Sequence, residues 1–238
     1  MRIVPLIAGV AALSASALMA DSAQDRLKDS AQVFSEVMKI SDKAIPQDLL
    51  SKAQCAVIVP GLKKGAFIVG GEYGRGFAMC RKPNGRGWGP PAALRVEGGS
   101  FGFQIGGSST DVIMLVMNQD GMNRLSSDKF TLGADASVAA GPVGRTAAAQ
   151  TDLELRAEIL TWSRSRGVFA GISLKGAVVQ PDHKVDEELY GPQAKSMTTR
   201  DIVTGNFQTP DGAHQLVTEL DRYSLRKEES GTASRSAH

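Results

Sequence analysis

Glycine residues recur throughout the apolar segments of this chain, and their distribution constrains the fold more than any other sequence feature. The 238 residues include 26 glycines, which are scattered rather than gathered into one flexible linker. Glycine permits tight turns, β-bulges and the close approach of two backbones. The distribution therefore predicts a β-rich core whose strands turn sharply and pass close to one another.

The middle of the chain carries most of the strand-like sequence. Residues 55–59 are β-prone and end at a proline–glycine turn signal, and residues 111–117 form a nearly continuous apolar run typical of a central strand. Helical periodicity flanks this region at residues 21–51 and 213–225. We therefore predict one α+β domain: a twisted, mainly antiparallel sheet or partial barrel with an N-terminal amphipathic helix and C-terminal helices.

The first twenty residues differ in composition from the rest of the chain. A short positive start precedes the uncharged, apolar residues 3–19, and small residues then offer cleavage positions. This layout predicts a signal peptide over residues 1–20, and the alternative is a short membrane anchor. A folded domain is expected over residues 21–226, followed by a disordered polar tail over 227–238. The expected location is exported, and periplasmic or envelope-associated.

The N-terminal helical segment has one apolar face. Its apolar residues recur at three- and four-residue steps, which predicts an amphipathic helix. One interpretation is that this face packs on the core of the domain, and the other is that it enters a lipid surface. For the second interpretation, the residues expected to contact lipid are Leu27, Phe34, Val37 and Met38.

A basic stretch is hidden within a nearly neutral chain. The formal net charge is only +2, but the segment from Gly61 to Arg95 has seven basic residues and one acid, Glu72, for a local net charge of +6. Each basic side chain near an anionic bilayer contributes about 1 kcal/mol to binding. The alternative is that strand alternation places these charges on different faces. The predicted lipid-binding cations are Lys63, Lys64, Arg75, Arg81, Lys82 and Arg86.

An ordered series of short motifs between residues 45 and 191 resembles the SYLF domain family, the Ysc-type actin-binding and lipid-binding domains. Each motif is weak alone, but the ordered set is specific. The series includes Ile45-Pro46, Val57-Ile58-Val59-Pro60-Gly61, Gly70-Gly71-Glu72-Tyr73-Gly74-Arg75-Gly76, Gly87-Trp88, Ser100-Phe101-Gly102-Phe103-Gln104-Ile105-Gly106, Leu132-Gly133-Ala134-Asp135, Gly141-Pro142-Val143-Gly144-Arg145, Gly167-Val168-Phe169-Ala170-Gly171 and Tyr190-Gly191.

This resemblance implies a binding domain without catalytic chemistry and without a cofactor. Eukaryotic relatives bind membranes that contain phosphoinositides, and fungal relatives also bind actin. Export would separate this chain from cytosolic filaments, so an anionic lipid or membrane surface is the expected partner. An envelope protein partner is the alternative. Nucleic acid is not expected, because aromatic residues make up only 5% of the chain and stacking platforms are scarce.

One motif suggests an enzyme. The sequence around Ser100 matches the Gly-x-Ser-x-Gly nucleophile elbow, and Asp182 or Asp201 with His214 would complete a triad in chain order. The elbow requires a helix that begins at the serine, whereas the residues after Ser100 alternate as in a strand. A serine hydrolase is therefore not expected.

The chain has two cysteines, Cys55 and Cys80, and both lie in apolar, strand-like surroundings. In an oxidising compartment a disulfide between them is plausible, and the alternative is two buried thiols. None of the three histidines has metal-ligand spacing to either cysteine, so no metal site is expected.

Overall fold

A computed structural model describes residues 22–40, 44–67, 69–100, 106–143, 156–165, 168–172 and 174–224. The predicted signal peptide and the predicted C-terminal tail lie outside these residues. Within them the strands are β1 (Cys55–Phe67), β2 (Val69–Cys80), β3 (Ala92–Ser100), β4 (Gly106–Val116), β5 (Phe130–Thr131), β6 (Val138–Ala140), β7 (Ile159–Ser165), β8 (Val168–Gly171) and β9 (Val178–Pro181).

The helices of the described residues lie before, between and after these strands. They are α1 (Ala23–Met38), α2 (Gln47–Lys52), α3 (Gln119–Leu125), α4 (His183–Tyr190), α5 (Thr199–Thr204) and α6 (His214–Tyr223), with 3-10 turns at Pro192–Ser196 and Asp211–Ala213.

The strands form one curled sheet in the order β5-β9-β3-β2-β1-β4-β7-β6, with β8 paired to β7. Every described strand pair is antiparallel except β6 with β7. A bridge between Leu132 and Ala136 joins the segments next to β5 and β6, so the two ends of the sheet approach each other. The predicted α+β fold, with its mainly antiparallel partial barrel, is confirmed.

Alternation along β1 divides the core into two faces. Val57, Val59 and Leu62 point to the inner face of the curled sheet, where α3, α5 and the short strands close the core. Ala56 and Ile58 point to the outer face, which α1 and α6 cover. A bulge between Val59 and Leu62 ends this regular alternation.

Close backbone contacts explain several of the glycines. A Cβ on Gly76 in β2 would lie 2.0 Å from the backbone oxygen of Ile58 in β1, and a Cβ on Gly171 would lie 2.0 Å from the backbone oxygen of Gly141. Gly61, at the bulge, has a φ of +59°, a conformation that other residues seldom adopt. These contacts fit the turns, bulges and close crossings expected from the sequence.

Candidate functional site

The structure separates the predicted lipid-binding cations into two groups. In the β1–β2 pair, Lys63 lies opposite Tyr73 and Lys64 lies opposite Glu72. Lys82 follows the other end of β2, and an extended strand from Tyr73 to Lys82 is about 30 Å long. The two groups therefore lie at opposite ends of β2, because Lys63 and Lys64 belong to the long strand β1 and pair with the start of β2.

Lys63 and Arg75 join a surface that we call the outer-face patch: Lys63, Tyr73, Arg75, Arg95 and Glu97. The register places Lys63 beside Tyr73, Tyr73 beside Glu97, and Arg75 beside Arg95. By strand alternation these side chains share the face that farther along the sheet carries the buried Phe77 and Ala93.

The patch combines an exposed aromatic ring with partly neutralised cations. Tyr73 is 44% exposed and is one of two large hydrophobic side chains that the described residues expose. Arg75 forms an ion pair with the buried Asp182, at 2.9 Å, and Arg95 lies 3.6 Å from Glu97. The three cations of the patch are therefore balanced by two acids, Glu97 within it and Asp182 beside it, which leaves a net charge of about +1. Lys64 points to the opposite face and forms an ion pair with Glu72, at 3.1 Å.

Arg81 has a structural position instead of a lipid-facing one. Its side chain is buried and stacks on Trp88, with 4.3 Å from the guanidinium carbon to the ring centroid. Its Nη2 donates to the backbone oxygens of Leu50 and Ser224. A headgroup cannot reach a guanidinium held in this way, so direct contact between Arg81 and lipid is excluded in this conformation. Lys82 and Arg86 are exposed in the turn that follows β2.

The apolar face of α1 packs on the sheet. The helix begins after Ser22, whose side chain accepts a hydrogen bond from the backbone N–H of Asp25. The four side chains expected to contact lipid are all at most 6% exposed: Leu27, Phe34, Val37 and Met38. The structure thus shows the core-packing interpretation, and none of these side chains can contact a bilayer while α1 stays on the sheet.

A clamp of charged side chains holds α1 beside the bulge of β1. Arg164 in β7 donates to Asp111 Oδ2 through Nε, at 3.0 Å, and Nη2, at 2.7 Å, and its Nη1 donates to Glu36 of α1. The hydrogen bond from Arg164 holds the pKa of Glu36 below its usual range. Asp111 Oδ1 accepts from the backbone N–H of Gly61. One arginine therefore links the helix, two strands and the bulge.

Replacing Arg164 by glutamine is expected to lower the free energy of unfolding by about 2 kcal/mol, because it leaves two half-buried carboxylates without their cation. Urea unfolding measures this loss, and hydrogen exchange of the α1 amides should speed up as well. The matched control is Arg124→Gln, at an exposed position of α3. Unchanged α1 exchange in the Arg164 variant would contradict the clamp.

The structure joins Cys55 and Cys80 in a disulfide. The two residues are direct partners in the β1–β2 register, and both are fully buried. The bridge therefore fixes the two central strands of the sheet next to the turn that carries Lys82.

The surroundings of Ser100 do not fit a nucleophile elbow. Ser100 is the last residue of β3, and β4 begins at Gly106. The five residues between them leave no room for the long helix that an elbow needs after its serine.

In the described part of the chain, no group of three or more His, Cys, Asp or Glu residues is placed to hold a metal ion. No described helix is both long and apolar enough to cross a bilayer.

The predicted lipid-binding residues did not include Tyr73, Arg95, Glu97 or Asp182. Tyr73 and Arg75 are two positions apart in a strand-like segment, and this spacing alone indicates that both side chains share a face. The ion pair of Asp182 with Arg75 depends on the packing of β9 and α4 against β3, and no local sequence pattern predicts this packing.

Comparison with known proteins agrees with the motif series. The family model described as "Ysc84: Las17-binding protein actin regulator" matches residues 97–223. "SH3 domain-containing YSC84-like protein 1" of Xenopus laevis is 30% identical over 207 residues, which cover 84% of this chain and 61% of that protein. The Homo sapiens protein of the same name is 29% identical over 210 residues, covering 86% and 60%.

A fungal protein shows a similar degree of identity. "LAS seventeen-binding protein 3" of Saccharomyces cerevisiae is 29% identical over 223 residues, which cover 90% of this chain and 48% of that protein. The chain thus spans about three-fifths of the length of these animal relatives and about half of the yeast one.

Proposed function

The chain belongs to the Ysc84, or SYLF, domain family, and from this membership we propose that it is a binding module, without catalytic chemistry, that adheres reversibly to anionic membrane surfaces. The observation that carries the proposal is the outer-face patch, where an exposed tyrosine lies among lysine and arginine side chains. Tyrosine rings favour the headgroup zone of a bilayer, and basic side chains are attracted to anionic headgroups.

Lys63 is the cation of the patch best suited to meet a headgroup. It is exposed, whereas Arg75 and Arg95 are each partly neutralised by an acid. With about 1 kcal/mol from each basic side chain near the surface, the patch supports weak, reversible binding. Such binding should weaken as the salt concentration rises, because salt screens exposed charges.

We further propose that the protein is exported and acts at the envelope. The apolar residues 3–19, with small residues after them, support a signal peptide over residues 1–20. The folded domain would then be residues 21–226, with a polar tail over 227–238. An oxidising compartment also suits a buried Cys55–Cys80 bridge.

Charge reversal at Lys63 is expected to weaken binding to anionic vesicles about thirtyfold. The variant Lys63→Glu removes one attraction and adds one repulsion, which together amount to about 2 kcal/mol. Co-sedimentation with vesicles of phosphatidylglycerol and phosphatidylcholine at low ionic strength measures the change. The matched control is Lys195→Glu, at an exposed position in the turn Pro192–Ser196, which should bind as the unaltered chain does.

Two results would count against this proposal. The unaltered chain without residues 1–20 could ignore acidic vesicles even at low ionic strength, or both charge reversals could weaken binding equally. Equal weakening would indicate attraction to net charge alone, without a defined patch.

A partner protein is the second candidate function. The matched family is named for Las17 binding and actin regulation, and the yeast relative is named for LAS seventeen binding. For an exported chain the corresponding partner would be an envelope protein that docks on the same outer-face patch. This alternative predicts no vesicle binding, but co-purification with one defined protein that Lys63→Glu abolishes.

A further inference from the structure

A cleft lies at the end of β2 that is remote from the outer-face patch. It has a volume of about 420 Å³, which is within the usual range for small-ligand sites. One wall is the segment that follows β2, and the other is the end of α5 with the loop after it. The residues that give the cleft its chemistry are Lys82, Asn84, Trp88, Thr204, Asn206 and Phe207.

Close backbone contacts shape the two walls, and the contact between Gly89 and Val203 joins them. A Cβ on Gly89 would lie 2.2 Å from the backbone oxygen of Val203, and a Cβ on Gly205 would lie 2.4 Å from that of Asp201. The backbone N–H of Gly89 also donates to the backbone oxygen of Cys80, at 2.7 Å. Side chains larger than hydrogen do not fit at these two glycines, so tight packing fixes the backbone of both walls.

The floor of the cleft is equally well held. Trp88 is 2% exposed, and its Nε1 donates to Ser224 Oγ at 3.1 Å. Arg81 stacks on the ring of Trp88 and donates to the backbone oxygen of Ser224. This network joins the floor to the segment that ends α6. A preformed cleft of this kind loses little conformational entropy when a ligand binds.

The rim of the cleft favours an anion. Among the described residues that line it, Lys82 alone carries a charge, and Asn84, Asn206 and Thr209 have amide or hydroxyl groups that can donate hydrogen bonds. The hydroxyl of Thr204 already donates to the backbone oxygen of Arg200, at 2.8 Å. Arg86 is exposed in the same turn. Asp221 packs against this turn at Gly87, and burial raises its pKa although the charges of Arg81 and Lys82 act in the opposite direction.

We propose that this cleft binds a small organic phosphate, with the phosphate at Lys82 and an apolar or glycerol portion over Trp88 and Phe207. A phosphate has more acceptor oxygens than a carboxylate, and so suits one ammonium group surrounded by several neutral donors. The phosphate could be carried by a soluble monoester or by a phospholipid with a small headgroup. The inference does not depend on the outer-face patch, which lies at the other end of β2.

Nuclear magnetic resonance of the folded chain tests this proposal. The probes are sn-glycerol 3-phosphate, dihexanoyl phosphatidic acid below its micelle concentration, and inorganic phosphate. The readout is the indole N–H resonance of Trp88, assigned by comparison with Trp162→Phe, since the chain has two tryptophans. Saturable shifts are expected with at least one organic probe, and Lys82→Glu should weaken binding at least tenfold. Lys82→Gln provides a second variant, and Lys195→Glu, at an exposed position away from both sites, is the matched control that should bind as before.

The outcomes separate the sources of the phosphate. Binding of both organic probes supports a site for the phosphate monoester itself, and binding of phosphatidic acid alone supports a lipid. The proposal is overturned if neither organic probe shifts Trp88, if Lys82→Glu and Lys82→Gln bind as tightly as the unaltered chain, or if inorganic phosphate binds as tightly as the organic probes. Loss of vesicle binding in Lys63→Glu with cleft binding intact would show that the two sites are independent.

Discussion

At pH 8, replacing Asp186 by asparagine is expected to raise the free energy of unfolding, by up to about 4 kcal/mol. Asp186 lies in α4 and is 1% exposed, and its Oδ1 accepts a hydrogen bond of 2.7 Å from the backbone N–H of Ala93. Burial, together with the nearby charge of Asp182, raises the pKa of Asp186 to about 7, although the Ala93 hydrogen bond opposes the rise. An asparagine keeps the acceptor and carries no charge to desolvate.

The stability of the unaltered chain depends on pH because Asp186 binds its proton more tightly in the folded state than in the unfolded state. The ordinary pKa of an aspartate is 3.8, so between about pH 4 and pH 7 the folded state holds a proton that the unfolded state has released. The stabilisation from this proton is complete below pH 4 and is lost as the pH rises through 7. The asparagine variant should therefore match the unaltered chain near pH 4 and exceed it increasingly up to pH 8.

Urea unfolding followed by circular dichroism at pH 4, 6 and 8 measures the difference between the two chains. The matched control is Asp182→Asn, one turn away, which removes the counter-ion of Arg75. That variant is expected to be less stable than the unaltered chain at pH 8. Parallel pH curves for Asp186→Asn and the unaltered chain would show that Asp186 is charged in the folded state and would contradict the prediction.

The two aspartates also connect stability with the candidate site. Asp182 holds Arg75, and Asp186 holds the backbone of Ala93, in the strands that present the outer-face patch. The register Arg75–Arg95 places two like charges directly opposite each other, an arrangement that destabilises a sheet unless acids neutralise them. The acids beneath and beside the patch therefore allow cations to gather there, and they also limit its net charge.

The sequence predicted the fold class correctly because the governing signals are local. Glycine-broken apolar runs define the long central strands, and the C-terminal helices show clear helical periodicity. Helix α4 lies outside the segments whose periodicity predicts a helix. Its buried positions include an aspartate, Asp186, which interrupts the apolar pattern that would otherwise mark a helix. That carboxyl accepts its hydrogen bond from the backbone of Ala93, which is almost a hundred residues away in sequence.

The candidate site was less predictable because it depends on register. Composition identified the basic stretch, but Lys63 and Lys82 lie about 30 Å apart along extended β2. Amphipathicity identified α1 but could not decide whether its apolar face meets a core or a lipid. The apolar face of α1 meets the core because residues distant in sequence hold the helix there. Arg164 pairs with Glu36, and Leu220 packs in the same apolar cluster as Phe34.

Reduction of the Cys55–Cys80 bridge is expected to lower the free energy of unfolding by about 3.5 kcal/mol. The bridge spans 25 residues, and opening a loop of this length restores conformational freedom mainly to the unfolded chain. Both cysteines are fully buried, so the bridge should be reduced under unfolding conditions before the chain is refolded. Urea unfolding of the oxidised and the reduced chains, with thiol counts of zero and two, measures the loss.

The control for this experiment is the double variant Cys55→Ala with Cys80→Ala. It lacks the bridge in every condition, so added reductant should leave its unfolding midpoint unchanged. Because the bridge joins β1 to β2 directly before Arg81, its loss should also loosen the cleft floor, which is visible as a shift of the Trp88 indole N–H. If oxidised and reduced chains unfold at the same urea concentration, the central strand pair is held by packing alone, and the bridge gives no reason to favour an oxidising compartment.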